Sequence, residues 1–332
     1  MIISRTPFRI SFLGGGTDYP IYYEENGGAV LSTTINKYCY IVCRYLPPFF
    51  EYKYRIRYTK REETKTIAEI QHPSVRECLQ FVGLDKGVEI QHNADLPAMS
   101  GLGSSSAFTV GLLNALYALK GRMTTKRQLA LDAIHVEQER IGENVGSQDQ
   151  TITAFGGFNK IEFGGPQKIT VYPIIMEQSK LDALQSHLML FFTGFPRSAS
   201  DIAAEQIRAT PRKKKELDAM KGLVDESLNI LNGGTDDLLD FAGLLHETWK
   251  IKRTLTPNIT NSFIDEVYET AIKAGALGGK LLGAGGGGFM LFFAEPDRQR
   301  SVREKLGKLL YVPFRFQNLG SQIIYYAPEE DY

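Results

Sequence analysis

The chain has 332 residues, with 38 Lys and Arg balancing 38 Asp and Glu and 43% hydrophobic residues, an ordinary globular composition. Zero formal charge gives no overall field to gather nucleic acid or anionic lipid. The densest basic run, Arg212, Lys213, Lys214 and Lys215, has no interleaved aromatic residues for bases to stack on and reads as a solvated helix start. Cys39, Cys43 and Cys78 form no C-x-x-C and are too scattered for a disulfide framework, which fits a reducing cytoplasm. Arg5 and Pro7 interrupt any leader-like apolar run, and no stretch approaches about 18 uncharged apolar residues, so neither standard secretion nor a membrane span is expected. Small molecules are the expected partners, and a homo-oligomer remains open.

The first third is β-rich, with strands expected at residues 8–13, 29–35, 37–46, 53–59 and 88–92 from runs of Val, Ile, Tyr, Phe and Thr. After Pro97 and the glycines at 101 and 103, AFTVGLLNALYALKG predicts an apolar helix ending at Gly121, and 126–141 predicts a second. Strand patterns return in GFNKIEF, KITVYPI and HLMLFF. Helices follow at 212–231, 237–252 and 260–274, with apolar residues three and four apart. The end reads as strand (GFMLFFA), helix (298–309), strand (VPFRFQNL) and strand (QIIYYA). This order predicts an α+β chain. At about 100–200 residues per domain two domains are expected, 1–180 and 181–332, with a soft boundary between Gly164 and Gly194 and a cleft between the halves.

Three glycine-rich loops stand out: LGGGTDYP at 13–20, LPAMSGLGSSSA at 96–107 and GKLLGAGGGGF at 279–289. Glycine clusters alone are usually turns. The central loop runs small residues and hydroxyls into the start of an apolar helix, where backbone N–H groups of Gly103, Ser104, Ser105 and Ser106 can converge on phosphate oxygens. The plainer alternative is a serine N-cap. Two nucleotide motifs fail. Gly279-Lys280 is followed by Leu281, with Ala274 where the first P-loop glycine belongs. Gly283, Gly285 and Gly288 spell G-x-G-x-x-G but lead into a strand, not a helix.

On the helix predicted for 126–141, Glu137 falls in the middle of the apolar stripe made by Leu129, Ala130, Ala133, Ile134, Val136 and Ile141, whereas Glu139 points away. A carboxylate on a buried face needs a cation or donors, which makes Glu137 a magnesium-ligand candidate, the alternative being a buried ion pair with an arginine. Asp149 lies in the polar stretch GENVGSQDQTITAFGG. It could cap a helix or, beside a phosphate loop, orient and deprotonate an attacking hydroxyl. Arg9 on the first strand could keep it ionised.

Together PFRISFLGGGTDY, LPAMSGLGSSSA and GKLLGAGGGGF, in this order, resemble the three motifs of the GHMP kinase superfamily. The resemblance implies an α+β fold of two domains, ribosomal protein S5 domain 2-like then ferredoxin-like, with the active site between them. It also implies ATP held by Gly101, Leu102, Gly103, Ser104, Ser105 and Ser106, with Gly285 and Gly286 of the third loop closing over the phosphates. Ser106 and Glu137 would bind Mg2+, Asp149 would be the catalytic base with Arg9 beside it, and Gly15, Gly16, Thr17 and Asp18 would form the sugar side.

Galactokinases of the family carry Glu-His where this chain has Gly15-Gly16, which argues against galactose. RISFLGGGTDYP followed by GGAVLSTTINKY is more similar to the kinases of D-glycero-D-manno-heptose 7-phosphate, which phosphorylate the anomeric hydroxyl and supply activated heptose for surface glycans. L-fucose is the alternative acceptor. A sugar phosphate requires a second anion site, for which Arg197 in FTGFPRSASDIA is a candidate, a plain surface arginine being the alternative. A catalytically inactive nucleotide or sugar sensor on the same fold is the contrasting function class. The presence of Asp149, Glu137 and Ser106 argues for catalysis.

Overall fold

The computed structural model describes residues 1–164, 168–194, 199–233 and 238–328. A large mixed sheet contains β1 (Ile2–Leu13), β2 (Gly28–Tyr45), β3 (Tyr54–Arg57), β4 (Arg61–Thr64), β5 (Val88–Ala94), β6 (Phe158–Phe163) and β7 (Ile169–Pro173). A second sheet of four strands contains β8 (Leu188–Gly194), β9 (Gly278–Leu281), β10 (Gly288–Phe293) and β11 (Leu310–Tyr311). The last strands, β12 (Phe316–Gln317) and β13 (Gln322–Tyr326), return to the first sheet. The helices are α1 (Pro20–Asn26), α2 (Pro73–Val82), α3 (Ser104–Leu119), α4 (Lys126–His135), α5 (Gln148–Phe155), α6 (Gln178–His187), α7 (Ala199–Ala209), α8 (Lys214–Asn232), α9 (Leu238–Arg253), α10 (Ser262–Lys273) and α11 (Gln299–Lys305).

The first sheet runs β13-β1-β2-β5-β3-β4, and β2 is its spine. Residues 28–33 of β2 pair with β6 and residues 39–45 with β5, so one 18-residue strand replaces the two expected at 29–35 and 37–46. Asn36, where a break was expected, is carried through because its N–H donates to Arg315 O (2.8 Å) and its Oδ1 accepts from Arg315 N (2.7 Å). The second sheet, ordered β11-β8-β10-β9 and antiparallel throughout, has the connectivity of a ferredoxin-like unit, with α7 to α10 in its first crossover and α11 in its second.

Of the strand expected over VPFRFQNL only Phe316–Gln317 pairs, as β12, while β11 on the second sheet ends at Tyr311, just before it. Pro313 brings no N–H to a ladder, and the chain leaves β11 on the second sheet to form β12 against β2. Strands β12 and β13 therefore lie outside the sheet that a division at 180/181 would assign to the second half. The two halves also share apolar contacts. Phe12 of β1 packs edge-on against Phe158 and Phe316 and against Phe241 of α9, with ring centroids 5.5, 6.2 and 5.6 Å away. Cys39, Cys43 and Cys78 are buried in this core. Among the described residues no helix is long and apolar enough to cross a membrane.

Candidate active site

A cavity of about 390 Å³ opens between the halves, lined by β1 and its following loop, the serine loop, the segment before α5, and residues of α7, α9, β9 and the third glycine loop. Its shape begins with backbone conformation. Gly101 and Gly103 take left-handed φ of 81° and 74°, which turn the chain into α3. Gly103 is the N-cap, with no side-chain cap, so the serines are not capping residues. Ser104, Ser105 and Ser106 form the first turn of the helix and line the cavity. The helix start thus presents N–H groups and the positive end of its dipole to the cavity. The third glycine loop packs back to back with this turn. A Cβ on Gly283 would stand 2.5 Å from Gly101 Cα, and one on Gly288 would stand 2.5 Å from Ser100 O.

Arg9, nearly buried on β1, meets Asp149 with a two-pronged contact: Nε to Oδ1 at 2.7 Å and Nη2 to Oδ2 at 2.6 Å. Its third arm donates from Nη1 to Gly101 O at 2.6 Å, and its backbone N–H donates to Leu102 O. One guanidinium therefore ties the carboxylate to the serine loop. Asp149 lies inside the first turn of α5, after the N-cap Ser147, so it is not the helix cap. It remains partly open to the cavity.

Glu137 is fully buried directly behind Ser106. The α-helix expected over 126–141 ends at His135, and residues 136–141 form a widened π turn that carries Glu137, a local distortion common at functional sites. Its Oε2 accepts from Ser106 Oγ at 2.8 Å and from Gln150 Nε2, and the Thr109 hydroxyl also favours its charged form, while Oε1 makes no hydrogen bond of ordinary geometry among the described residues. The arginine partner that was the alternative does not materialise, because Arg140 reaches Glu77 and Gln80 instead. Burial, with Glu143 adding repulsion, pushes the Glu137 carboxyl up to about 7. A buried carboxylate oxygen without a regular hydrogen bond, beside a hydroxyl, fits a hard divalent cation that takes its remaining ligands from phosphates and water. No group of three or more side-chain ligands exists among the described residues to cage a metal by protein alone.

At the other end of the cavity Asp18 is 2% exposed. Its Oδ1 accepts from Gly16 N (2.9 Å) and Oδ2 from Gln148 N (3.4 Å). Burial outweighs these donors and raises its pKa, with Asp149 contributing repulsion. Gly15 and Gly16 also line the cavity. Thr17 does not: its hydroxyl is turned inward to Gly14 O (2.8 Å) and Ala29 O (2.9 Å), where it holds the loop against β2. Leu102 is buried in the apolar core and reaches the site only through its carbonyl. Gly285 and Gly286 pack on Ile259, while Gly283 and Ala284 form the cavity wall. Arg197 lies outside the described residues.

The structure adds residues that were not singled out for the site. Ser11 and Gln148 hydrogen-bond across the wall at 2.7 Å, and Tyr19, Gln206, Glu143, Lys252 and Lys280 are among the other residues that line it. The two lysines had a legible signal. Lys252 continues the buried stripe Phe241, Leu245, Trp249 of α9, and Lys280 interrupts an otherwise apolar buried strand.

The GHMP kinases N terminal domain model matches residues 67–157, and the GHMP kinases C terminal model matches 228–312. Among curated relatives, D-glycero-alpha-D-manno-heptose 7-phosphate kinase of Campylobacter jejuni is 29% identical over 92% of this chain and 93% of its own. The bifunctional fucokinase/GDP-fucose pyrophosphorylase of Arabidopsis thaliana is 25% identical over 90% of this chain but 30% of its own length. A crystal structure titled D-glycero-D-manno-heptose 1-phosphate kinase, from Bacteroides thetaiotaomicron, superposes with a TM-score of 0.77 at 25% identity, covering 98% of this chain and 99% of that one. The two family models together span just over half the residues and fall on both walls of the cavity, and the chain belongs to the GHMP kinases, which transfer phosphate from ATP to an alcohol group.

Proposed function

We propose that this kinase phosphorylates the anomeric hydroxyl of D-glycero-D-manno-heptose 7-phosphate with ATP and Mg2+ in the cytoplasm, giving the 1,7-bisphosphate used to make activated heptose for surface glycans. The observation that carries the reading is the Arg9–Asp149 fork, tied through Gly101 to the uncapped start of α3. It supports a proton acceptor lying beside a phosphate site within one cavity. In this reading the N–H groups and hydroxyls of residues 103–106 hold the donor phosphates. Asp149 takes the proton of the acceptor hydroxyl as the new O–P bond forms in line and the bond to the β-phosphate oxygen breaks, releasing ADP. Arg9 holds the carboxylate at its angle. Ser106 and Glu137 would hold magnesium, which when bound neutralises charge on the phosphates.

Two features support the choice of sugar. The Campylobacter relative matches over nearly the full length of both chains, and Gly15 and Gly16 leave the wall beside Asp18 without bulky side chains. A Cβ on Gly15 would meet nothing nearer than Ser11 Oγ at 3.7 Å, so the space there is open to a longer acceptor. The test is a coupled ADP-release assay with MgATP against heptose 7-phosphate, mannose, L-fucose, galactose and mevalonate. Turnover confined to the heptose phosphate is expected. Turnover of fucose or another neutral sugar alone would keep the kinase and discard this substrate, and silence across the panel would favour the inactive sensor.

A further inference from the structure

Among the described residues, two of the cations that line the cavity form no ion pair with its carboxylates. Arg9 is taken by Asp149. Lys252 and Lys280, 5% and 1% exposed, both line the cavity. An ammonium has three donors. Lys280 Nζ donates to Phe12 O at 2.7 Å and Lys252 Nζ donates to Gly283 O, and among the described residues neither is in an ion pair with a carboxylate. Lys180 shows how this chain satisfies a buried lysine that serves structure alone. It is 5% exposed, lines no part of this cavity, and donates to two carbonyls at the end of α8, Ile230 O (2.8 Å) and Gly233 O (2.7 Å).

A buried cation without a counter-ion is costly and is usually paired or neutralised. Two such cations side by side, each with donors to spare, leave a place for an anion supplied from outside. We propose that Lys252 and Lys280 grip the phosphate already carried by the acceptor sugar, an assignment that rests on the sugar-phosphate reading above. The donor phosphates have their own site at the start of α3. The carboxylates whose charge reaches the lysines are Asp18 for both and Asp149 for Lys252, which is the acceptor's side of the reaction. Lys280 is anchored to the end of β1, the strand that leads into Gly15 and Asp18. Burial holds both ammonium groups below the usual lysine range, helped by the charge of Arg9 at Lys252, which falls to about 8, and by the charges of Lys252 and then Arg9 at Lys280. An arriving dianion reverses that bias.

The test compares wild type, Lys252→Met, Lys252→Arg and Lys280→Met. For each, kcat/KM is measured with heptose 7-phosphate and with the same heptose lacking its phosphate, and KM for ATP is measured separately. Calorimetric binding of heptose 7-phosphate reports on any variant that folds but does not turn over. The preference for the phosphorylated sugar should fall about 10–100-fold in Lys252→Met, the range for losing a hydrogen bond to a charged group, with partial recovery in Lys252→Arg. Should Lys280→Met fail to fold, the Lys252 pair decides alone. A rise in KM for ATP with an unchanged sugar preference would give the lysines to the donor's γ-phosphate and overturn the assignment. If wild type turns over only unphosphorylated sugars, the functional reading fails and takes this assignment with it. Wild-type turnover of the heptose phosphate with unchanged preference in the variants removes the assignment alone.

Discussion

The two walls of the cavity handle charge in opposite ways. On the wall built by β1 and α5, Arg9 and Asp149 satisfy each other through two short contacts, and the third arm of the guanidinium fixes the serine loop. On the wall built by α9 and β9, Lys252 and Lys280 meet only carbonyl oxygens. Glu137, behind Ser106, is the anionic counterpart of the lysines, with donors on one oxygen and no hydrogen bond of ordinary geometry on the other among the described residues. A matched pair sets geometry before any ligand arrives. Unmatched groups derive their partners from what binds, and until then they cost stability. On the proposed reading, the first wall carries the chemistry and the second the recognition.

Breaking the matched pair should have the largest effect. Asp149→Asn removes the proposed proton acceptor and leaves Arg9 without its carboxylate, and kcat is expected to fall about 10³-fold, within the range for general bases. ADP release at saturating substrates checks this, with thermal unfolding to confirm the fold. Turnover within a few-fold of wild type would sink the catalytic role of Asp149.

The unmatched wall should respond in the opposite sense. Lys252→Met is expected to weaken the grip on a phosphorylated acceptor while raising stability. The Lys252 ammonium faces Arg9, Lys280, Asp18 and Asp149, and burial dominates, taking its pKa from 10.5 to about 8. Between those two values the unfolded chain binds more protons than the native one, so wild-type stability rises with pH across this window. Below it, the charged lysine costs about 3 kcal/mol by the same linkage. Lys252→Met should therefore be more stable than wild type by up to about that amount at neutral pH, and the gain should fade as pH climbs through the window. Urea unfolding of both proteins at pH 7 and pH 10 measures it. A variant less stable than wild type at pH 7 would mean that the lysine is internally paired and that the two walls do not differ.

Glu137→Gln probes the third case. The amide keeps the volume and can still face Ser106 and Gln150, but it offers no negative charge to a cation. We expect kcat/KM for ATP to drop about 100-fold, equivalent to about 2.7 kcal/mol, and more magnesium to be required for half-maximal rate, with no loss of thermal stability. An unchanged magnesium requirement would make Glu137 a purely structural carboxylate.

How much of this could be read from the sequence depends on how local each signal was. Hydroxyls entering an apolar helix and a carboxylate centred on an apolar helical face are short-range patterns, and they led to Ser104, Ser105, Ser106 and Glu137 without reference to any distant residue. The π turn that carries Glu137 was not legible, because regular 3.6-residue periodicity has no place for one inserted turn. Nor was the inward rotation of Thr17, which depends on the carbonyl of Ala29 on a neighbouring strand. Gly285 and Gly286 look like phosphate-loop glycines in a run of four, yet the space they fill is against Ile259, a neighbour set by the fold of α10's approach. Lys252 and Lys280 each gave a local sign of burial, but their convergence on one cavity is a property of α9 packing beside β9. The return of β12 and β13 to the first sheet is likewise a long-range choice, made where Pro313 releases the chain from β11.

The smallest expected effect tests the matched wall most finely. Arg9→Lys preserves a positive charge beside Asp149, so the carboxylate keeps a counter-ion and the variant should fold. A lysine ammonium is a single point of contact, however, and cannot occupy both carboxylate oxygens and Gly101 O with the planar spacing of the guanidinium. Asp149 would then be free to rotate, and its alignment with the serine loop would depend on the ligand. Because orientation and not charge is lost, kcat should fall about tenfold while KM for ATP and for the sugar stays within about twofold. If KM rises with kcat unchanged, Arg9 acts in binding and the fork is not what orients the base. If neither moves, net charge alone suffices on this wall, and the distinction between a preset wall and a ligand-completed one loses its structural basis.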